Sequence, residues 1–406
     1  MPQAEKPVRL LQVFNQYLEK GGEEIWVDAV SSLATPSSYQ AHNLRFQSSD
    51  WTRKGAPTVF AQARKVWDNP ASRDRLRCFV ANLQPDVLLY HNLIPVGSLG
   101  LYKEAEELNL PVVQYIHNFR PFSPSGTMWL NGKTDSRALA GNPWPEILGR
   151  AWERSFLKTF LIATYQRRLL NSGGLNVVKR WIAVSDFMRD RFIDAGLDPS
   201  RIVTLRHCWR PGPEPQPTEE GQHYLFLGRL VPEKGVHTLL DAWQILEKRM
   251  GKDCPRLIIA GSGPEKEVIL RRINRMRSVI CVGYAEGAVK QRLLAQCRAL
   301  IAPSIWWEPL GLIVHEAYDA AKPVIAASSG GLTETVWHEK TGLLHHPGDP
   351  SHLANNVEML EQLGKDRRQQ MGRAGREWLI KNASPEQWIQ AFANILRSAL
   401  DSSNRP

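Results

Sequence analysis

Apolar runs too short to be helices recur along the chain, each separated from the next by a stretch long enough for one. VRLLQVF from Val8, DVLLY from Asp86, VVQYI from Val112, WIAVS from Trp181 and IVTLR from Ile202 predict buried strands. GEEIWVDAVSSL from Gly22 and DFMRDRFIDAG from Asp186 predict helices between them. Such β-then-α alternation points to a doubly wound α/β layer with a parallel sheet. The pattern stops over WRPGPEPQPTEEGQ, Trp209 to Gln222, where proline, glycine and acidic residues leave no hydrophobic period, as expected of a linker.

It then restarts. YLFLG from Tyr224, RLIIAG from Arg256, VICVG from Val279, ALIAPS from Ala299 and PVIAAS from Pro323 predict strands. KGVHTLLDAWQILEKRM, PEKEVILRRI, EGAVKQRLLAQ and LGLIVHEAYDA predict the helices among them, the last with Pro309 near its first turn. Residues 1–208 thus predict one Rossmann-like domain, 209–222 a linker and 223–384 a second such domain. A last helix over residues 385–406 opens at Ser384-Pro385-Glu386-Gln387, a serine cap followed by proline, and is expected to pack back toward the first domain. A chain of 406 residues suits two cores of about 200 residues each, with a cleft between them.

The composition, 43% hydrophobic and 23% charged, is that of a soluble globular protein, and no apolar run approaches a membrane span. The N-terminus lacks the cleavage pattern of a signal peptide, so a cytoplasmic location is expected. Five scattered cysteines without a C-x-x-C spacing disfavour a disulfide framework or a thiolate zinc site. The net charge of +10 would attract phosphates, nucleic acid or an anionic membrane, and charge alone does not choose among them. One segment concentrates it: in GRAWERSFLKTFLIATYQRRLLNSGG, Arg150, Arg154, Lys158, Arg167 and Arg168 punctuate aromatic and aliphatic residues. A basic amphipathic helix over about 150–170 could lie at the inner face of a membrane as a peripheral contact or grip a phosphate-bearing acceptor; it could equally be a core helix with a solvated face.

Candidate chemistry gathers at the predicted strand ends, where doubly wound sheets bind ligands. In WWEPLGLIVHEAYDA, Glu308 and Glu316 stand eight positions apart. On one helix they would lie roughly 80° from each other, so they serve different points of a ligand, Glu308 from a loop and Glu316 from the helix. The backbone N–H groups of Leu310, Gly311 and Leu312 between them would be unpaired donors at a helix start, a seat for phosphate. Arg229 and Lys234 in LFLGRLVPEKG, after another strand, suit a diphosphate. Tyr284 directly follows VICVG at a place where a nucleobase could sit, Gly21-Gly22 let a ligand approach the backbone, and His117 directly follows VVQYI. No Asp-x-Asp pair occurs, which weakens a metal-dependent reading.

These motifs, GRLVPEKG, AGSGP, EPLGLIVHE, KPVIAASSGGLTETV and TGLLHHPGDP, resemble those of glycosyltransferase family 4, and YIHNFRPFSP adds a fainter match in the first half. The resemblance implies the GT-B architecture, two Rossmann-like domains facing across a cleft. It implies a retaining transfer from a nucleotide-sugar donor, with UDP or GDP as its nucleotide part, to a saccharide or lipid-linked acceptor in polysaccharide or glycoconjugate synthesis. Arg229 and Lys234 would hold the diphosphate, Gly311 and Leu312 would offer N–H groups, Glu308 would contact the donor sugar, Glu316 the ribose, and His117 the reacting centre. The nucleotide-sugar would be a co-substrate, with no resident cofactor and no metal. RHCWRPGP from Arg206 departs from the Asn-Gly-Val-Asp-like turn of many relatives, and Ser123 stands where relatives with a similar insertion often carry cysteine. A non-catalytic nucleotide-sugar-binding subunit and a GT-B sugar-nucleotide epimerase are the alternatives. A nucleic-acid partner is not expected, because no basic and aromatic RNA motif accompanies the charge.

Overall fold

The computed structural model describes residues 6–18, 21–215, 221 and 223–402. Its described residues form two compact units: one drawn from 1–130, 135–207 and 385–406, the other from 131–134 and 208–384. In the first, β1 (Val8–Gln16), β2 (Tyr39–Gln47), β3 (Val87–Tyr90), β4 (Val112–Ile116), β5 (Val178–Ala183) and β6 (Ile202–Thr204) make a parallel sheet in the order β2-β1-β3-β4-β5-β6. The winding reverses direction beside β1 and β3, and Tyr90 at the end of β3 lies opposite Gln114 in β4. Residues just beyond both strands therefore emerge at one edge.

The second unit contains β7 (His223–Leu227), β8 (Arg256–Ala260), β9 (Val279–Gly283), β10 (Cys297–Ala302), β11 (Val324–Ala327) and β12 (Gly342–His345), all parallel, ordered β9-β8-β7-β10-β11-β12. Its reversal falls between β7 and β10. One core cluster joins Leu239, Trp243 and Leu246 of the helix Val236–Met250 to Tyr224 and Ile259, and another joins Val314, Tyr318, Trp378 and Leu379 to Leu225 and Leu300. Neighbouring strand residues face opposite sides, so the inner strands are covered on both and are mainly apolar, whereas the edge strand β9 exposes Ile280 and Val282.

Two strands of these sheets went unread in the sequence, β2 and β12, and both are sheet edges; the short separate pair Trp129–Leu130 and Lys133–Thr134 went unread as well. The last helix, Pro385–Asp401, lies along the first sheet and buries Trp388, Phe392 and Leu396 there. Trp388 meets Trp26 edge-on at 5.2 Å, and Phe392 meets Tyr39 at 5.1 Å. The stretch read as a linker is fastened at its start to the second unit. Trp209 N–H donates to the Ala383 carbonyl at 2.8 Å, Gly212 N–H donates to the Asp319 carboxylate at 3.0 Å, and Arg376 spans Asp319 and the Gly212 carbonyl. Linker residues 216–220 and 222 lie outside the described residues.

Candidate functional site

In the second unit, the turns after β7 and β10 meet at the point where the winding reverses. Gly228 and Arg229 follow β7, the short turn Pro232–Lys234 leads into the helix Val236–Met250, and Ile305 N–H donates to the Glu233 carbonyl at 2.9 Å. That bond holds the two turns together and brings Lys234 to Glu308. Lys234 Nζ donates to Glu308 Oε2 at 2.7 Å and Oε1 at 3.0 Å, while Ser304 Oγ and Trp306 Nε1 donate to Oε2 at 2.9 and 3.0 Å. The carboxyl is buried, and burial opposes its ionisation. Lys234, Ser304 and Trp306 outweigh that cost and hold it below the usual carboxylate range. Only glycine fits at Gly330 against this loop: its φ is +60°, and a Cβ there would collide with the Glu308 carbonyl. Gly331 N–H donates to that same carbonyl at 2.7 Å.

The helix after Glu308 starts later than expected. It runs Leu312–Asp319, with Gly311 at φ +83° immediately before it, so Pro309 and Leu310 belong to the loop and not to a first turn. A left-handed residue cannot continue an α-helix backward, and this moves the start to Leu312. No side chain caps it. Val314 N–H is taken by the Gly311 carbonyl at 2.9 Å. Glu316 lies in the second turn, with Oε2 2.9 Å from Lys290 Nζ, near enough to pair by charge although not aligned as a hydrogen bond. Arg229 and Tyr284 are exposed on the same strand-end edge of the sheet. The structure thus joins Lys234 to Glu308 and leaves Arg229, Tyr284 and Glu316 outside that bonded group.

The first unit has its own cavity beside β3 and β4, lined by apolar residues together with Glu23, His91, His117, Asn118 and Arg120. Gly21, extended and open, precedes the helix Gly22–Ser32, whose first turn carries Glu23. The Glu23 carboxyl accepts from Asn92 N–H and Tyr17 O–H, each at 3.1 Å, and its enclosure raises its pKa to about 7. His117 stacks on Tyr115 at 4.8 Å and sits 2.9 Å from His91, and burial lowers its pKa to about 3. Gln12, Glu23, His91 and Arg120 were not singled out from the sequence. Two signals were available: a lone glutamine inside the apolar run VRLLQVF, and a histidine directly after the strand DVLLY.

Comparison with known proteins agrees with this architecture along the chain. A family model described as Glycosyltransferase Family 4 matches residues 28–208, and one described as Glycosyl transferases group 1 matches residues 213–378. The chain belongs to the family 4 glycosyltransferases. It is 34% identical over 210 residues to a GDP-mannose-dependent alpha-(1-6)-phosphatidylinositol monomannoside mannosyltransferase of Mycobacterium tuberculosis, a match covering 49% of this chain and 52% of that one. The chain therefore spans about half the length of that curated relative. To the Mycobacterium tuberculosis glycogen synthase it is 25% identical, over 80% of this chain and 71% of the relative. Among solved structures, Anabaena HepE in complex with UDP-glucose superposes with a TM-score of 0.67 at 17% identity, covering 96% of this family 4 chain and 99% of HepE. A Thermosynechococcus elongatus sucrose-phosphate synthase gives 0.68 at 16% identity, covering 97% and 100%. These two likenesses establish the GT-B fold.

Proposed function

We propose that the chain transfers a sugar, with retention of configuration and without a metal, from a UDP- or GDP-sugar to a saccharide or lipid-linked acceptor in polysaccharide or glycoconjugate synthesis. The observation that carries this reading is the Lys234–Glu308 pair at the reversal point of the second sheet, beside an uncapped helix start. A bound diphosphate would draw on Lys234, Arg229 and the N–H groups of Gly311 and Leu312. Cations and a helix start together stabilise the charge that builds as a pyrophosphate leaves. Glu308 would then exchange part of its bonding with Lys234 for a donor-sugar hydroxyl, and Glu316 would exchange Lys290 for the ribose. Tyr284 would border the base, and Gly21-Gly22 would let the donor pass close to the backbone.

In the reaction proposed, the bond from the sugar's anomeric carbon to the phosphate oxygen breaks, and the bond to the acceptor oxygen forms on the same face. The acceptor's proton passes to the departing phosphate, so no covalent intermediate with the protein is needed. His117 supplies a polar contact to a hydroxyl of the reactants.

A peripheral membrane contact is part of the proposal. Trp144, Leu148, Phe156 and Leu157 are 52%, 69%, 45% and 50% exposed on the helices Trp144–Leu148 and Phe156–Asn171, which pack together, and Arg150, Arg154 and Lys158 are interspersed among them. Exposed aromatics beside cations suit an anionic lipid surface on the cytoplasmic side.

The test is a thermal-shift panel of UDP, GDP and ADP with their common sugars, followed by product analysis. A nucleotide at a hundredfold excess over its Kd should stabilise by about 2.7 kcal/mol. Lys234→Ala and Glu308→Ala should abolish turnover. Binding without transfer to any acceptor would instead identify a non-catalytic subunit, and inversion of the donor sugar without an acceptor would identify an epimerase.

A further inference from the structure

The hydrogen bonds around His117 decide which of its ring nitrogens carries the proton. Gln12, buried in β1, directs its Nε2 at the Val27 carbonyl, 3.3 Å away, and at Asn43 Oδ1, 3.0 Å away. A carbonyl only accepts, so the amide cannot be turned round, and Gln12 Oε1 faces His91 Nε2 at 3.0 Å. An amide oxygen only accepts as well, so His91 carries a proton on Nε2. Burial, with His117 and Arg45 nearby, holds His91 neutral, leaving its Nδ1 bare. That bare nitrogen lies 2.9 Å from His117 Nε2, which must therefore donate. His117 is neutral too, so its Nδ1 is a lone pair, buried and without a hydrogen-bond partner among the described residues.

We propose that Gln12 and His91 are positioning residues that fix His117 as the Nε2–H tautomer, so that its Nδ1 meets the reactants as an acceptor for a sugar or acceptor hydroxyl. This rests on the reading that His117 contacts the reactants. The cavity His117 lines leaves about 50 Å³ in which water-sized groups can be centred. A single water needs about 10–15 Å³ by that measure, so the space holds several water-sized groups and has room for a hydroxyl-bearing part of a ligand. No donor among the described residues is hydrogen-bonded to His117 Nδ1. His207 and Tyr115 approach as tilted or stacked rings at 5.4 and 4.8 Å, and Glu23 accepts from Asn92 and Tyr17. Arg120, which also lines the cavity, packs over Trp152 at 4.3 Å and donates to the Ser125 carbonyl.

The experiment is long-range nitrogen–proton NMR of the full chain labelled with ¹⁵N-histidine. In the wild type, His91 and His117 should both show a protonated Nε2 and a bare Nδ1 from about pH 5 to 8. A protonated Nδ1 on His117 would overturn the proposal, and this measurement needs no variant. Gln12→Leu removes the terminal acceptor, so the Nδ1–H form of His117 should become populated and kcat should fall about tenfold with donor KM unchanged. A His117 pattern indifferent to Gln12→Leu would sink the relay. A switched pattern with unchanged kcat would leave the relay standing and overturn the assignment of Nδ1 to a reacting hydroxyl. Because the NMR readout needs no turnover, failure of the relay is distinguishable from failure of the proposed activity.

Discussion

Glu308 keeps its charge where burial opposes it, and that makes it a pH-dependent contributor to the fold. Its folded pKa lies below the unfolded value of 4.5, so its stabilisation is complete above the ordinary carboxylate range and disappears as pH falls through the depressed folded value. Lys234→Met should remove most of this term and cost about 1–3 kcal/mol at neutral pH, read from urea unfolding at about pH 7 and pH 4. A variant as stable as wild type at both would show that the pair contributes nothing. Glu23 has the opposite sign. Its folded pKa, about 7, lies above the model-peptide value, so the unfolded state is the more easily ionised and stability declines as pH rises toward and through 7. Glu23→Gln, which retains one oxygen as acceptor, should therefore melt higher than wild type at about pH 8 and converge with it near pH 5. Equal melting points at both values would contradict an enclosed carboxyl.

At the level of elements, the strands recognised in the sequence are short apolar runs, several of them buried on both faces, such as VLLY of β3 and VIAA of β11. The missed strand β2, YQAHNLRFQ, buries Tyr39, Leu44 and Phe46 while its other positions are polar or partly exposed. An edge strand pairs on one side only, and in β2 the resulting mixed composition resembles a loop, whereas the edge strand β9, VICVG, stays legible because its exposed positions are apolar too. The late start of the helix at Leu312 follows from the left-handed Gly311, where a Cβ would also collide with the Leu332 side chain, 21 positions along the chain. The helix Pro385–Asp401 supports an energetic prediction. Trp388→Ala should lose about 3–5 kcal/mol through the lost contacts with Trp26 and Phe392, seen as a lower urea midpoint. A change under about 1 kcal/mol would mean that the helix is dispensable to the first unit.

For the molecule as a whole, the two predictions concern what it needs and where it acts. Transfer should persist in excess EDTA if, as proposed, Arg229, Lys234 and the helix start at Leu312 supply the positive charge; full loss restored by a divalent cation would contradict this. Sedimentation with anionic vesicles should fall at high salt and should also fall in a variant with Trp144, Leu148, Phe156 and Leu157 all changed to serine. Vesicle binding unaffected by those four changes would place the contact elsewhere or remove it. No helix among the described residues is long and apolar enough to cross a membrane, so a surface contact of this kind is the form of attachment under test.

The alternation of apolar runs and helical stretches, read directly along the chain, was enough to establish two doubly wound sheets, since parallel strands buried on both faces read as short continuous apolar runs bounded by turns. The motifs at strand ends likewise placed Lys234, Glu308 and Gly311 in turns at the strand-end edge of the second sheet and Glu316 in the helix that follows, because a turn after a parallel strand emerges at that edge. The direct bond from Lys234 to Glu308, the pairing of Glu316 with Lys290 and the chain of hydrogen bonds from Gln12 through His91 to His117 required the folded structure. These contacts join residues between 26 and 79 positions apart, and only tertiary packing sets their distances, protonation and partners.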